Sequence, residues 1–147
     1  MSKNKGWKFI SPIEVWYSLK KKFRLNLNMY RNTHYRILNT CKIHYKDMMV
    51  SQIEKAPRFE KIICLYKVFP KSKRHFDVGN VCSIHEKFFE DALVELGKLP
   101  DDNTTYIPVV VYVVGEIDKE NPRVEIYIQD FNKEGVDKLL EIVYDKL

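Results

Sequence analysis

The chain has 147 residues and a net charge of +5, and its residues are 45% hydrophobic and 31% charged. That length is enough to bury the core of one domain, and the composition is typical of a folded globular protein rather than a disordered chain. The longest apolar run, at residues 107–115, is far shorter than the roughly 20 residues needed to cross a bilayer, so no membrane contact is expected.

The first predicted element is a helix within an N-terminal extension. Ser11 is a suitable N-cap and Pro12 suits the first helical position, so a short helix is predicted over residues 11–22. The basic N-terminus has neither the apolar core nor the cleavage site of a signal peptide, so we expect no signal or transit peptide. We therefore expect residues 1–22 to form a peripheral extension and residues 23–147 to form a single domain.

Three elements are predicted between this extension and the middle of the chain. Residues 23–30 alternate apolar and polar side chains, as a half-buried strand does. Apolar residues then recur at helical spacing, which predicts a long helix from residue 33 or 34 to about residue 55. Residues 59–70 form a mostly apolar run that ends at Pro70, and they are predicted to be a second strand.

The second half of the chain predicts two helices and two strands after a basic connector. Gly97 is expected to stop the first of these helices. In chain order the segments are the connector at 71–77, a helix at about 80–96, β-rich runs at 106–118 and 123–130 joined as a hairpin by "KENP", and a helix within 132–147. The resulting order, β-α-β-α-β-β-α, indicates an α+β domain with helices packed on a small mixed β-sheet.

The cysteines indicate the compartment. Cys41, Cys64 and Cys82 are widely spaced and form no C-x-x-C pair. This pattern predicts reduced, structural thiols in a cytosolic protein. A zinc site built from them with His44 or His85 would lack closely spaced ligand pairs and is not expected.

Charge is unevenly distributed along the chain. Residues 1–76 hold 18 basic and 4 acidic residues, a net charge of +14, whereas residues 77–147 hold 7 basic and 16 acidic residues, a net charge of −9. The two halves could simply pair with each other when folded. The same distribution is expected of a nucleic-acid-binding surface beside an acidic, metal-binding centre.

Polar residues of the predicted helix at 80–96 form a stripe. Asn80, Lys87 and Asp91 lie within about 40° of one another on a helical wheel. Asp77 precedes the helix and Asp102 follows its exit turn, but a helix of this length spans roughly 24 Å, so these two could share a metal ion only if the chain folds back along the stripe. A solvated helix explains the same residues, with Lys87 and Asp91 as an i, i+4 ion pair and "PDDN" as an ordinary turn.

The stretch "KRHFDVGN…KFFEDALVELGKLPDDN" resembles the RusA family of Holliday-junction resolvases, especially its phage-encoded branch. That family carries an Asp-x-x-Asn at a helix start, a Lys four residues before an Asp-Ala-Leu triplet, a Gly-containing turn and an Asp-Asp pair. The matching residues here are Asp77, Asn80, Lys87, Asp91-Ala92-Leu93, Gly97 and Asp101-Asp102. The resemblance covers roughly residues 23–130. Two features depart from it. Gly79 stands where the family commonly has a second Asp, and the interval from Asn80 to Lys87 is longer than in the shorter bacterial members.

The resemblance implies a RusA-like fold and a Mg²⁺-dependent endodeoxyribonuclease, with Mn²⁺ as an alternative cation, that nicks Holliday junctions and other branched DNA. The catalytic residues it implies are Asp77, Asp91, Asp102 and Lys87, and the implied metal ligands are Asp77, Asp102 and Asp101. Lys87 would bind the scissile phosphate or stabilise its developing charge. It further implies a homodimer, because a four-way junction requires paired nicks. The resemblance also implies a protein that is encoded by a phage or prophage and located in the cytoplasm of a bacterial host.

Basic residues of the N-terminal half are candidate DNA contacts. The connector leads directly into Asp77, and a second group lies beside tyrosines that could stack on unpaired bases. The candidate DNA-binding residues are Lys71, Lys73, Arg74, Arg31, His34, Arg36 and Asn80. A solvated loop and a helix cap explain some of them equally well. His85 is expected to be a packed core histidine.

Two other classes of function stay open at this stage. With Gly79 in place of an acid, the chain could be a non-catalytic nucleic-acid-binding or phage-assembly protein on the same fold. It could also be a protein-binding adaptor whose two oppositely charged halves merely pair internally.

Overall fold

Four strands form one mixed sheet with helices packed on both of its faces. The structure is a computed structural model in which residues 6–144 are described. In chain order the elements are β1 (Trp7–Ser11), β2 (Glu14–Trp16), β3 (Lys22–Arg24), α1 (Leu27–Arg31), α2 (Tyr35–Ile53), β4 (Ile62–Phe69), α3 (Val78–Glu95), β5 (Val109–Val114), β6 (Arg123–Asp130) and α4 (Lys133–Tyr144). The predicted α+β class with a small mixed sheet is confirmed. Over the described range, no helix combines the length and apolar character that crossing a bilayer requires.

The sheet has the strand order β1-β6-β4-β5. β6 runs antiparallel to both of its neighbours, so Trp7 and Cys64 both lie opposite Ile128. β5 runs parallel to β4, with Ile63 beside Val109. Because β4 is flanked on both edges and covered on both faces, nearly all of its residues are buried, which explains its continuous run "IICLYKVF".

The two faces of β4 belong to two hydrophobic cores. Tyr66 points toward α2 and α3, where it belongs to the larger core together with Tyr45 and Phe89. Leu65 points to the opposite face and packs with Leu139 of α4. Full burial of one large apolar side chain stabilises a fold by about 1.5–3 kcal/mol. The larger core, which holds most of the buried aromatic rings, is therefore the main support for the position of α3.

α3 begins and ends at residues with clear capping roles. The Asp77 side chain accepts a hydrogen bond from the backbone N–H of Gly79 at 3.0 Å. At the other end Gly97 has a φ of 77°, and the next N–H, that of Lys98, donates to the carbonyl of Leu93 at 2.8 Å. A left-handed residue is the usual end of a helix, and glycine adopts it at little cost. Gly97 is thus the helix stop that the sequence predicts.

The N-terminal segment differs from its prediction. No helix forms over 11–22; β1 adds to the sheet, and β2 pairs with β3 as a separate two-stranded hairpin. Phe9 and Val15 are buried, so the described part of this segment belongs to the domain and is not a peripheral extension; residues 1–5 lie outside the described range. The Ser-Pro signal was misleading because Val15 and Phe23 pair across the β2–β3 hairpin and are both buried in the core.

Two strand predictions are also wrong. Instead of one strand over 23–30, β3 ends at Arg24 and a short helix, α1, begins after Asn26, whose side chain accepts from the N–H of Met29 at 2.8 Å. The predicted hairpin of the last two strands does not form either, because β4 lies between β5 and β6. The predicted helices over 33–55, 80–96 and the C-terminal segment are present as α2, α3 and α4, with residues 145–147 outside the described range.

Candidate active site

Five carboxyl groups gather where the C-terminal half of α3 meets the loop that follows it. We call them the acidic cluster: Glu86, Glu90, Asp91, Asp101 and Asp102. Partial burial, a hydrogen bond with Asp101 and the charge of Asp91 raise the pKa of Asp102. Burial together with three neighbouring carboxyl groups of the cluster raises the pKa of Glu90. The groups are therefore close enough to act on one another electrostatically.

Glu90 is the most deeply buried member of the cluster. Its side chain lies within the domain at 4% exposure and accepts a hydrogen bond from the Tyr66 hydroxyl at 2.8 Å. Burial, and then the charge of Glu86, raise the pKa of Glu90 to about 8. At neutral pH this carboxyl group therefore holds a proton for much of the time. The sequence does not single it out, because it lies between the apolar positions Phe89 and Ala92 on the helix.

Glu86 lies one turn earlier on the same face of α3. The hydroxyl of Tyr112, on β5, is hydrogen-bonded to Glu86, and this carboxyl group and burial raise the pKa of Tyr112. Two Glu–Tyr hydrogen bonds thus join α3 to neighbouring strands of the sheet. Glu86 and Glu90 are four residues apart, and Glu90 directly precedes Asp91; this spacing is the sequence feature that could have indicated an acidic face on the helix.

Two lysines lie near the cluster, one on α2 and one on the side of α3 that faces α1. Asp91 forms an ion pair with Lys42 of α2 at 3.5 Å, and not the predicted pair with Lys87. Lys87 is exposed, and its Nζ lies 5.6 Å from the ring centroid of Tyr30 on α1. Within residues 6–144, Lys42 is the one basic residue that forms an ion pair with the cluster. Apart from Asp91, the carboxylates of the cluster therefore have no ion-pair partner within this range.

Asp77 does not join the other acids. It is exposed at the N-terminus of α3, and 14 helical residues separate it from Asp91, which corresponds to about 21 Å along the helix axis. Asp102 lies near Asp91, not near the start of the helix. The expectation that Asp77 and Asp102 share a metal ion is therefore wrong for a single chain. Asn80, one turn into α3, is about 16 Å from Asp91 along the helix axis.

The donor atoms of the acidic cluster suit a hard cation. All are carboxylate oxygens, and Mg²⁺ is usually held by one or two carboxylates, waters and the phosphates of a substrate. No three His, Cys, Asp or Glu side chains in the described part of the chain are arranged as a metal-binding group. Asp101 is engaged elsewhere, since it accepts from the backbone N–H of Asp102 at 2.7 Å and from the side chain of Asn103 at 3.1 Å. Asp91 and Asp102 are the pair that remains, and a bound cation would compete with Lys42 for Asp91.

The predicted DNA-contact residues lie on two exposed segments. The first is the connector before α3, which holds Lys71, Lys73 and Arg74. The second is the α1–α2 junction, which holds Arg31, His34 and Arg36. His34 also caps α2, since its Nδ1 accepts from the N–H of Arg36 at 3.2 Å.

Aromatic side chains accompany the second basic segment. Tyr35 is 61% exposed, and its ring lies 4.6 Å from that of His34 and 5.9 Å from the guanidinium of Arg36. Tyr30, by contrast, is half-buried. Tyr35 is therefore the tyrosine of this segment that is available to stack on a base.

His85 is a core residue, as expected. It is fully buried, and its Nδ1 lies 2.6 Å from Ser11 Oγ, which also lies 2.6 Å from the hydroxyl of Tyr45. Burial lowers the pKa of His85 to about 3, so the ring is neutral across the physiological range. The cluster of Ser11, Tyr45 and His85 joins β1, α2 and α3 and is inaccessible to a substrate.

Compared with models of known protein families the chain matches none, and no curated protein sequence matches it. The resemblance to the RusA family therefore stays a prediction that rests on the residues quoted for it. Function has to be argued from the chemistry of the acidic cluster and the charges around it.

Proposed function

We propose that the protein is an endodeoxyribonuclease that nicks branched DNA by phosphodiester hydrolysis with Mg²⁺, or Mn²⁺ as an alternative, at the acidic cluster. The observation that carries the proposal is that five carboxyl groups lie together, whereas one lysine forms an ion pair with them within the described chain. Uncompensated carboxylates at one place favour a bound cation, and a cation beside basic surface favours a phosphate substrate.

Asp91 and Asp102 are the residues that would hold the ion. When bound, a divalent cation would neutralise a phosphate oxygen and lower the pKa of a bound water. This assignment replaces Asp77, which lies about 21 Å away along α3, and Asp101, whose oxygens are engaged with its own turn.

The remaining groups of the site bind phosphate and hold a proton. Lys87 is exposed beside the cluster, where its charge would attract a phosphate and stabilise the transition state. Glu90 would keep the proton that it holds near neutral pH, because it is buried against Tyr66, and so would limit the negative charge of the cluster. A homodimer would supply two such sites for opposite strands of a junction.

A second function has a specific observation in its favour. Gly79 stands where a second acid is expected, and Asp77 caps a helix instead of joining the cluster. Both features suit a nucleic-acid-binding or phage-assembly protein without catalytic activity. The two functions differ in one result, which is cleavage.

Nicking of a synthetic four-way junction tests the proposal. Wild type should nick the junction with Mg²⁺ and stop when the ion is chelated, and Asp102→Asn and Asp91→Asn should abolish nicking while still binding the junction in a gel-shift assay. Glu95→Gln is the matched control, because Glu95 is an exposed acid of α3 paired with Lys46 at 2.7 Å and outside the cluster. Asp77→Asn, which keeps a good N-cap, should also keep full activity.

The opposite results identify which part of the proposal is wrong. Junction binding by wild type without any Mg²⁺-dependent nicking would favour the non-catalytic protein. Nicking lost in both Asp77→Asn and Asp102→Asn but kept in Asp91→Asn would restore the ligand set that the resemblance implies.

A further inference from the structure

A groove beside the start of α3 is separate from the acidic cluster. One hollow of about 450 Å³ lies between the β2–β3 hairpin, the connector and the loop before β6. A second, of about 340 Å³, continues it past α1 to Asn80. The two share lining residues, including Arg24 and Phe76, so they form one continuous groove. Its floor is apolar and includes the buried Leu25 and Val68.

Three exposed cations line this groove without a carboxylate partner. They are Arg24, Lys71 and Lys119, and none forms an ion pair with another residue of the described range. The one acid in the lining, Glu14, is already paired with Lys22 at 3.2 Å. The groove therefore carries net positive charge over an apolar floor, which suits an anion with apolar faces.

An aromatic ring lies where the two hollows meet. Phe76 is 40% exposed although its neighbours in the connector are all polar. A partly exposed ring among unpaired cations has the chemistry that single-stranded nucleic acids use, with bases stacked on rings and phosphates on basic side chains. Asn80, at the far end, offers an amide that can hydrogen-bond to a base edge.

We propose that this groove binds an unpaired segment of a nucleic-acid strand, with phosphates at Arg24, Lys71 and Lys119, a base against Phe76 and a base edge at Asn80. The inference rests on the proposed function, because an unpaired strand at a DNA branch is what the groove would receive. Asn80 and Asp91 are 11 residues apart on α3, which corresponds to about 16 Å along the helix axis. A stacked strand covers this distance with about four to five phosphates. The groove would thus hold the strand a few nucleotides from the acidic cluster.

Fluorescence anisotropy with metal chelated tests this without cleavage. The probes are labelled thymidine and uridine oligonucleotides of about twelve nucleotides and a duplex of the same length. Phe76→Ala should weaken oligonucleotide binding about fivefold or more and change duplex binding little. Lys119→Gln should reduce the slope of log affinity against log salt by about 0.7 for single strands.

Two matched controls exist on α4 and the turn before it. Phe131 is also 40% exposed, and Lys133 is an exposed lysine; neither lines the groove. Phe131→Ala and Lys133→Gln should leave oligonucleotide binding unchanged. Circular dichroism of each variant checks that the fold is intact, and Phe76→Leu, which keeps apolar bulk without the ring, should behave like Phe76→Ala in binding.

Three results would overturn the inference. The first is an equal loss of affinity for single strand and duplex in Phe76→Ala. The second is unchanged oligonucleotide binding in both Phe76→Ala and Lys119→Gln. The third is displacement of the oligonucleotide by an equally charged polyglutamate peptide. The last would assign the groove to an acidic protein partner. Because these assays contain no metal, a junction that is bound but never nicked overturns the proposed function and leaves the groove assignment supported.

Discussion

Replacement of Glu90 by glutamine should change how the stability of the protein depends on pH. Glutamine has the shape of the protonated carboxyl group and keeps an oxygen that can accept the hydrogen bond from Tyr66. In wild type, burial and the charge of Glu86 raise the pKa of Glu90 from 4.5 to about 8. The folded protein therefore holds a proton on Glu90 at pH values where the unfolded chain has lost it.

The sign and size of the effect follow from this difference in pKa. Because the folded state binds the extra proton, the free energy of unfolding is highest below about pH 4.5, falls as the pH rises, and levels off above about pH 8. A shift of this size corresponds to a loss of at most about 5 kcal/mol in the free energy of unfolding. Because the protein relaxes around the charge, we expect a loss of about 2–5 kcal/mol. A whole domain has only about 5–15 kcal/mol of stability, so the change is large.

Urea unfolding of wild type and Glu90→Gln at a series of pH values measures the effect. The two proteins should be about equally stable near pH 4.5, and Glu90→Gln should become the more stable by about 2–5 kcal/mol above about pH 8. Added Mg²⁺ should narrow the gap at high pH, because a cation in the cluster offsets the charge of Glu90. Parallel pH curves for the two proteins would refute the argument from burial and repulsion.

Substitutions at three further positions test stability, each measured by denaturant unfolding. Ser11→Ala leaves the buried Tyr45 hydroxyl and His85 Nδ1 without their shared partner and should cost about 1–3 kcal/mol; a loss within error would contradict the importance of this cluster. Gly97→Ala forces a side chain to adopt a φ of 77° and should cost about 1 kcal/mol, with Gly97→Asn costing less. Asp77→Ala should cost about 1 kcal/mol and Asp77→Asn almost nothing, and equal losses would show that Asp77 does more than cap α3.

The sequence predicted the elements whose pattern is local. α2 and α3 have apolar residues at helical spacing, and β4 is an eight-residue run that is apolar except for Lys67, so each could be located without knowledge of its neighbours. Pairing between distant strands has no such local signal. The predicted hairpin of the last two strands was wrong because nothing in "KENP" shows that β4 enters between β5 and β6.

The candidate site was predictable in part for the same reason. Asp91 and Asp102 stood out as acids around one helix end, and they do lie close together. Asp77 was assigned to them by resemblance, although helical rise alone separates it from Asp91 by about 21 Å. Glu90 was missed because a carboxyl group on the buried side of a helix is recognised only once Tyr66 is seen beside it.

Because β1 pairs with β6, the sheet can be completed only late in the synthesis of the chain. Trp7 lies opposite Ile128, so a strand made at the beginning must wait for one made 121 residues later. At translation rates of about 5–20 residues per second, that wait is about 6–24 s. During this time β1 lacks the strand with which it pairs. The nascent chain thus carries an unpaired strand until its last strand has been translated, and an unpaired strand edge is where chains associate.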